Sequence, residues 1–262
     1  MIAQLNKSIA VFLRYRYLLY NLITRDIKVK YRRSVLGIVW SILNPLLMML
    51  VMTAVFSKVF KFNVPNFPVY YLLGSTIWNF FSEATNSAIM SILGASSLIK
   101  KVYIPKYIFP IQKVLFAFVN MLFSLIAVVF IFLVTKTPIT GTALLLPIPL
   151  LYVLFFAMGI SMLLSALTVY FRDVLHLYAV ILTAWMYFTP IFYPVNALPQ
   201  MMQNILKINP LYHYVSYVRD ILMYNTVPGF SANFICFIWA AVSMVIGFFV
   251  FKKLQGKFIL YI

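Results

Sequence analysis

Apolar and polar positions alternate on two scales along this chain. On the longer scale, six oily stretches are separated by short polar or proline-broken segments. They cover roughly 35–57, 69–93, 110–134, 146–170, 174–193 and 231–251. A helix needs about 20 predominantly apolar residues to cross the hydrocarbon of a bilayer, so each stretch predicts one membrane-spanning helix. The run 137–171 is too long for one upright helix, and Pro138, Pro147 and Pro149 interrupt its start. Residues 137–145 therefore read as an external connection.

On the shorter scale, Tyr15, Leu18, Leu19, Leu22, Ile23, Ile27 and Tyr31 recur at spacings of three and four ahead of the first span. Arg25, Asp26, Lys28, Lys30, Arg32 and Arg33 lie between and after them. This pattern predicts an amphipathic helix in the membrane interface. It is either a topology anchor or a gate whose Arg32 and Arg33 meet lipid phosphates. Between spans five and six, "TPIFYPVNALPQ" carries Pro190, Pro194 and Pro199, which cannot all lie inside one regular helix. "INPLYHYVSYVRDILMYN" follows with a helical pattern. Short external helices dipping into the outer leaflet are predicted here, tolerated only where protein or a water-filled cavity covers the broken backbone.

Composition agrees with an all-α integral membrane protein. Of 262 residues, 64% are hydrophobic and 10% charged, against roughly a quarter charged in a soluble domain. The mean hydropathy is +0.99. The start, "MIAQLNKSIAVFLRYRYLLY", has its short apolar run broken by Arg14 and Arg16, so it reads as part of the mature protein. Lone Cys236 excludes an internal disulfide. The net charge of +17 is spread in short blocks between oily runs, which fits topology and anionic headgroups rather than nucleic acid. With six spans, 16 of the 21 lysines and arginines fall on the side that holds both termini. The other side has Lys58, Lys61, Lys136, Lys207 and Arg219. The positive-inside rule places both termini in the cytoplasm.

Residues able to carry out covalent chemistry are scarce. The chain has four acids and two histidines, so neither a catalytic constellation nor a metal site is expected. A phosphate-binding GxxxxGK[ST] loop is absent. Around Gly256-Lys257, Phe251 stands where the first glycine belongs and Phe258 where Ser or Thr belongs. Work against a gradient would draw its energy from another chain. Glu83, in "NFFSEATNSA", is the one acid well inside a span. It reads either as a functional group or as a structural contact of Asn79, Asn86 or Ser87, with no intramembrane base in evidence. Arg172-Asp173 reads as a capping and topology pair or as a partner contact, and His176 and His213 as packing residues. Tyr70, Tyr71, Trp78, Phe80 and Phe81 cluster on span two. Trp185, Tyr187, Phe188, Phe192 and Tyr193 cluster on span five. They form part of an interfacial belt, or aromatic faces on which sugar rings stack as a polymer slides past.

The order of these features is similar to a known family. A basic interfacial helix leads into "YRRSVLGIVWSILNPLLMMLV". "WNFFSEA", "LIKKVYIPK", "YFRDV" and "TPIFYPVNALP" follow. The whole resembles the permease subunit of ABC-2-type polysaccharide exporters, which move lipid-linked O-antigen, teichoic acid and related glycans across the bacterial cytoplasmic membrane. The resemblance implies one domain over 1–262, with an N-terminal cytoplasmic part (1–33), a six-span core (34–251) and a cytoplasmic tail (252–262). It implies a second copy of the chain and two cytoplasmic ABC ATPases that hold the ATP and Mg, with no cofactor on this chain.

It also implies that the loop between spans two and three is a coupling helix. Leu98, Ile99, Val102 and Tyr103 would plug a groove on the ATPase, with the spacing that helix-in-groove docking needs. Lys100, Lys101 and Lys106 would set the charge at the rim. The rival readings are a permease of the same build for a drug, peptide or small lipid, an integral-membrane enzyme acting on lipid-linked sugars, and a secondary transporter. The enzyme would need external acids, of which only Asp220 is clear, and the secondary transporter a coupled-ion site.

Overall fold

The computed structural model describes residues 15–59 and 64–262, and all regular structure among them is helical. Lys7, Arg14 and Lys61, used in the charge count, lie outside the described residues. The amphipathic segment ahead of the first span is α1 (Arg16–Lys30), with Leu19 and Leu22 turned into the protein. Arg33 and Gly37, at φ 63° and 50°, then turn the chain. A 3-10 turn (Gly37–Val39) leads into α2 (Trp40–Thr53), which ends in a π-helical segment (Ala54–Val59). Next come α3 (Phe67–Ile89), started by Pro68 in its first turn, and two short helices, α4 (Ser91–Gly94) and α5 (Ser96–Lys101). Two long helices, α6 (Ile108–Val134) and α7 (Pro147–Tyr170), are followed by α8 (Val174–Tyr187). Two short ones, α9 (Gln200–Leu206) and α10 (Pro210–Leu222), precede α11 (Phe230–Leu254) and a 3-10 tail (Gln255–Leu260).

By length and composition, four helical stretches among the described residues can cross a membrane: Gly37–Ser57, Ile108–Val134, Gly141–Tyr170 and Phe230–Leu260. The other two expected spans depart from the simple pattern. α3 has 23 residues, but Asn79, Ser82, Glu83, Asn86 and Ser87 dilute its apolar character. α8 has only 14 residues, about 21 Å. It stops at Tyr187, shortly before Pro190, rather than running to 193. The connection over 137–145 is partly helical too, since a 3-10 turn (Gly141–Leu145) runs into α7.

The main core is built around α3, with α6, α7 and α10 packed on it. α7 and α11 cross at Gly159 and Gly247. A Cβ on Gly247 would run into the Gly159 backbone, and one on Gly159 into the Ser243 backbone. Small residues at such a crossing let two helix backbones approach where lipid gives no hydrophobic drive. A second core lies at one end of the bundle. It joins Leu19 and Leu22 of α1, Ile92, Ile99 and Ile104 of the segment between α3 and α6, Phe109 of α6, and Phe251 and Phe258 of the C-terminal end.

Candidate functional site

The segment "SLIKKVYIPK" is the helix α5 followed by extended chain. Val102 has already left the helical region, at φ −134° and ψ 136°. The four apolar residues at 98, 99, 102 and 103 therefore do not share one helix face. Ile99 belongs to the second core and Leu98 packs half-buried against it. Val102 and Tyr103 point out, Tyr103 with 92% of its surface exposed, and Lys100 and Lys101 are exposed beside them. Lys106 is turned inward. Its Nζ donates to the Gln255 carbonyl at 2.7 Å and sits 5.6 Å from the Phe258 ring centroid. Burial pushes its pKa down from the usual lysine value. The Tyr15 hydroxyl donates to the Tyr103 carbonyl at 3.4 Å, so the exposed tip also touches the start of α1.

Two carboxylates tie α1 to the bundle. Asp26 accepts from Lys113 Nζ at 2.6 Å and Gln112 Nε2 at 2.9 Å, both on α6, and from its neighbour Arg25 at 2.9 Å. Burial alone would raise the Asp26 pKa. The hydrogen bonds from Lys113, Gln112 and Arg25 overcome it and hold the carboxyl below its ordinary value. A depressed folded-state pKa contributes stability above the unfolded value, lost as pH falls through the folded one. The tether is thus expected to persist from neutral pH down to about pH 4 and to fail only below it. Asp26→Asn is expected to lower the thermal stability of the purified protein by about 2 kcal/mol, the scale of a charged hydrogen bond. A variant that melts like wild type down to pH 5 would show that α1 is held by its apolar face alone.

Glu83 has the base that the sequence did not reveal. Lys30 Nζ, at the end of α1, donates to Glu83 Oε1 at 2.7 Å, and Asn120 Nδ2 on α6 donates to the same oxygen at 3.0 Å. Of the expected neighbours, Ser87 reaches only the Glu83 backbone carbonyl, at 2.6 Å. This cluster lines a groove of about 720 Å³ between α2, α3 and α6. Pro45 shapes its third wall. Lacking an N–H, Pro45 leaves the Ser41 carbonyl without its helical donor. Ser124 Oγ on α6 lies 3.2 Å from that carbonyl and 3.1 Å from the Asn120 carbonyl, with one proton to share between them, and Tyr31 hydrogen-bonds the Ser41 hydroxyl. Asn44 and Asn79 are exposed in the groove. The signal for these residues was present: amides inside otherwise apolar spans. Their meeting was not, because it joins α1, α2, α3 and α6.

The aromatic residues divide. Tyr70, Tyr71, Trp78 and Phe81 of α3 are buried. Phe81, with 0% exposure, lies against Phe156 and Trp185, at centroid distances of 5.5 and 5.2 Å. Their ring faces are covered by protein in this conformation. Trp185 is half-buried, and its Nε1 donates to Asn209 at 2.8 Å. Tyr187 and Phe188 are exposed, and Tyr193 is half-buried with its hydroxyl on the Tyr187 carbonyl at 2.7 Å. Arg32 and Arg33 are exposed beyond the end of α1. Asp173 precedes α8 without a side-chain capping bond, and His213 bonds the Lys207 carbonyl at 2.8 Å.

At the other end, the proline-broken segment is held from within. Asn209 caps α10 by accepting from the Leu211 N–H at 3.0 Å and donates to the Phe188 carbonyl at 3.0 Å. Arg219, counted from sequence as an external charge, is buried with 4% exposure. Its guanidinium donates to the carbonyls of Pro190 (2.8 Å), Tyr70 (3.0 Å) and Ile191 (3.2 Å), and stacks 3.4 Å from the Tyr70 ring centroid.

A family profile described as "ABC-2 type transporter" matches residues 17–223. An "O-antigen export system permease protein RfbA" of Myxococcus xanthus is 30% identical over 88% of this chain and 92% of its own length. One of the same name from Klebsiella pneumoniae is 28% identical over 92% of this chain and 93% of its own length. The "Polysialic acid transport protein KpsM" of Escherichia coli is 25% identical over 88% of this chain and 91% of its own length. With its apolar crossing helices and this profile match over most of its length, the chain is a multi-pass membrane component of a transporter, not an enzyme, and belongs to the ABC-2 type transporter family.

Proposed function

We propose that this chain is the permease of an ATP-driven exporter that moves a lipid-linked polysaccharide across the bacterial inner membrane. Similarity along nearly the whole chain to permeases named for O-antigen export carries this reading, and the polysialic acid transporter supports it. Two copies work with two cytoplasmic ABC ATPases, which hold ATP and Mg. Six crossings, with α3 and α8 as the second and fifth, leave both termini in the cytoplasm, a reading that the distribution of lysine and arginine supports. The polysaccharide passes between the two copies. Arg32 and Arg33 meet the phosphates of the lipid anchor and its neighbours.

The loop at α5 is the contact with the ATPase. Val102 and Tyr103 supply its apolar surface, with Lys100 and Lys101 at the rim, while Leu98 and Ile99 root the loop in the second core. That core includes α1, so motion of the ATPase is passed to the interfacial helix through packed side chains. Tyr187 and Phe188 are the aromatic faces left open to a passing sugar.

The test uses Val102→Asp with Tyr103→Asp, two exposed positions, in the chain co-expressed with its candidate ATPase. Folding is expected to be retained. Co-purification of the ATPase is expected to fall at least about tenfold, since hot-spot truncations cost 2 kcal/mol or more. Full retention and wild-type ATP turnover would remove the coupling role from this loop.

A further inference from the structure

We propose that the groove between α2, α3 and α6 is a saccharide-binding wall, in which Asn44, Asn79, Ser82, Glu83 and Asn120 hydrogen-bond the hydroxyls of the exported chain. This deepens the exporter reading and rests on it. The first observation is periodicity. Ser75, Asn79, Ser82, Asn86 and their neighbours Glu83 and Ser87 recur at three- and four-residue steps along one side of α3. The part of this stripe that lines the groove, from Ser75 to Glu83, is about 12 Å long, over a third of a hydrocarbon core of about 30 Å. Asn79 and Asn86 are exposed, on a helix whose other faces are almost entirely buried. Exposed amides at that depth are costly against lipid and mark a polar pathway or a protein contact.

The second observation is an orphaned acceptor. Asn120 is 4% exposed and lines the groove. Its Nδ2 is engaged by Glu83, while its Oδ1 is buried without a hydrogen-bond partner. Buried polar atoms are nearly always partnered, and one that is not calls for a ligand or water.

The third is charge. Among the described residues, the only ions lining the groove are Lys30 and Glu83, and they neutralise each other at 2.7 Å. The remaining polar groups are amides and hydroxyls, each offering donors and acceptors together. This chemistry suits a neutral polyol, whose every hydroxyl both donates and accepts. It does not suit a phosphate, which would require unpaired cations. The length of the stripe suits a chain of sugars rather than a single ring. Lys30 comes from α1, so the interfacial helix closes one end of the wall.

The test is cysteine labelling of the whole transporter in sheared membranes of its native host. The only native cysteine, Cys236, is buried, which keeps the background low. Asn79→Cys is treated with the small cationic reagent MTSET, in membranes from cells with and without the initiating sugar-phosphate transferase. Leu122→Cys, on an apolar exposed position of α6, serves as the lipid-facing control. Asn79→Cys is expected to react in the glycan-free strain. It should react about tenfold more slowly when the glycan is made and export is arrested with vanadate, the slowing of a site at roughly ten times its dissociation constant.

Equal rates in the two strains would overturn the proposal. So would no reaction at all, or disulfide-linked dimers formed on oxidation, which would mean that a second copy fills the groove. As a second measure, Asn79→Leu, in a complex that still assembles, is expected to lower surface glycan about fivefold, the loss of one net hydrogen bond. Unchanged display would count against the wall. Deleting the gene and scoring surface glycan tests the exporter reading by itself, so a groove that fails leaves that reading standing.

Discussion

Arg219→Met is expected to leave little folded permease in the membrane. The residue is buried in a segment whose backbone cannot satisfy itself. Pro190, Pro194 and Pro199 leave only a 3-10 turn (Val195–Ala197) between α8 and α9, and non-helical backbone at membrane depth persists only where something meets its polar groups. Arg219 meets three carbonyls at once, those of Pro190, Ile191 and Tyr70. It thereby clamps the broken segment to α3. Methionine fills similar volume but donates nothing; the Tyr70 carbonyl keeps its helical donor, and stranding the buried Pro190 and Ile191 carbonyls at 1–3 kcal/mol each costs about 4 kcal/mol. That approaches the whole stability of a typical domain. Arg219→Lys is expected to fail nearly as badly, because a single ammonium lacks the planar fork that spans the three oxygens. The clamp also explains Gly74, where a Cβ would lie 2.7 Å from Arg219 Nη2. The measurement is monodisperse yield and melting of the purified protein. An Arg219→Met protein that melts with wild type would mean that the carbonyls find other donors.

Gly247→Leu is the second large effect expected. The obstacle at this crossing is the Gly159 backbone, not the tip of a mobile side chain, so it cannot swing aside. Overpacking typically costs about 1–3 kcal/mol, and a wedge against helix backbone belongs at the upper end. α7 and α11 are expected to part along their length and expose the buried Ser243 and Ser161 to lipid. Gly247→Ala would test the same point more gently, and melting midpoints ordered wild type, alanine, leucine are the expected outcome. Equal midpoints would show that the helices shift at no cost.

Parts of this architecture could be read directly from residue order. α1 announced itself through the three-and-four spacing of Leu18, Leu19, Leu22 and Ile23, because an amphipathic period survives whatever the helix packs against. The proline-broken segment was equally legible, since Pro190 and Pro194 forbid regular helix in any context. What was hidden is pairing at a distance. Arg219 looks like a surface charge until the chain brings it to Tyr70, 149 residues away, and Glu83 looks unpaired until Lys30 arrives from 53 residues upstream. Composition also could not divide the aromatic residues. Phe81 and Tyr187 are alike in sequence, yet one is sealed between Phe156 and Trp185 and the other is exposed. The polar stripe of α3 was visible as a period, but its meaning depended on which face the bundle left uncovered.

The bond from Ser124 to the carbonyl that Pro45 frees has a consequence for how the first span can move. Along a regular helix, neighbours can slide by small steps while every backbone group keeps its own partner. Here one carbonyl of α2 has its donor on α6, and a displacement of a fraction of a turn would separate them. The bond therefore favours one depth of the first span relative to its neighbour, by about 1 kcal/mol. Rocking together with α6, as a keyed shaft, costs less than sliding beside it as a piston.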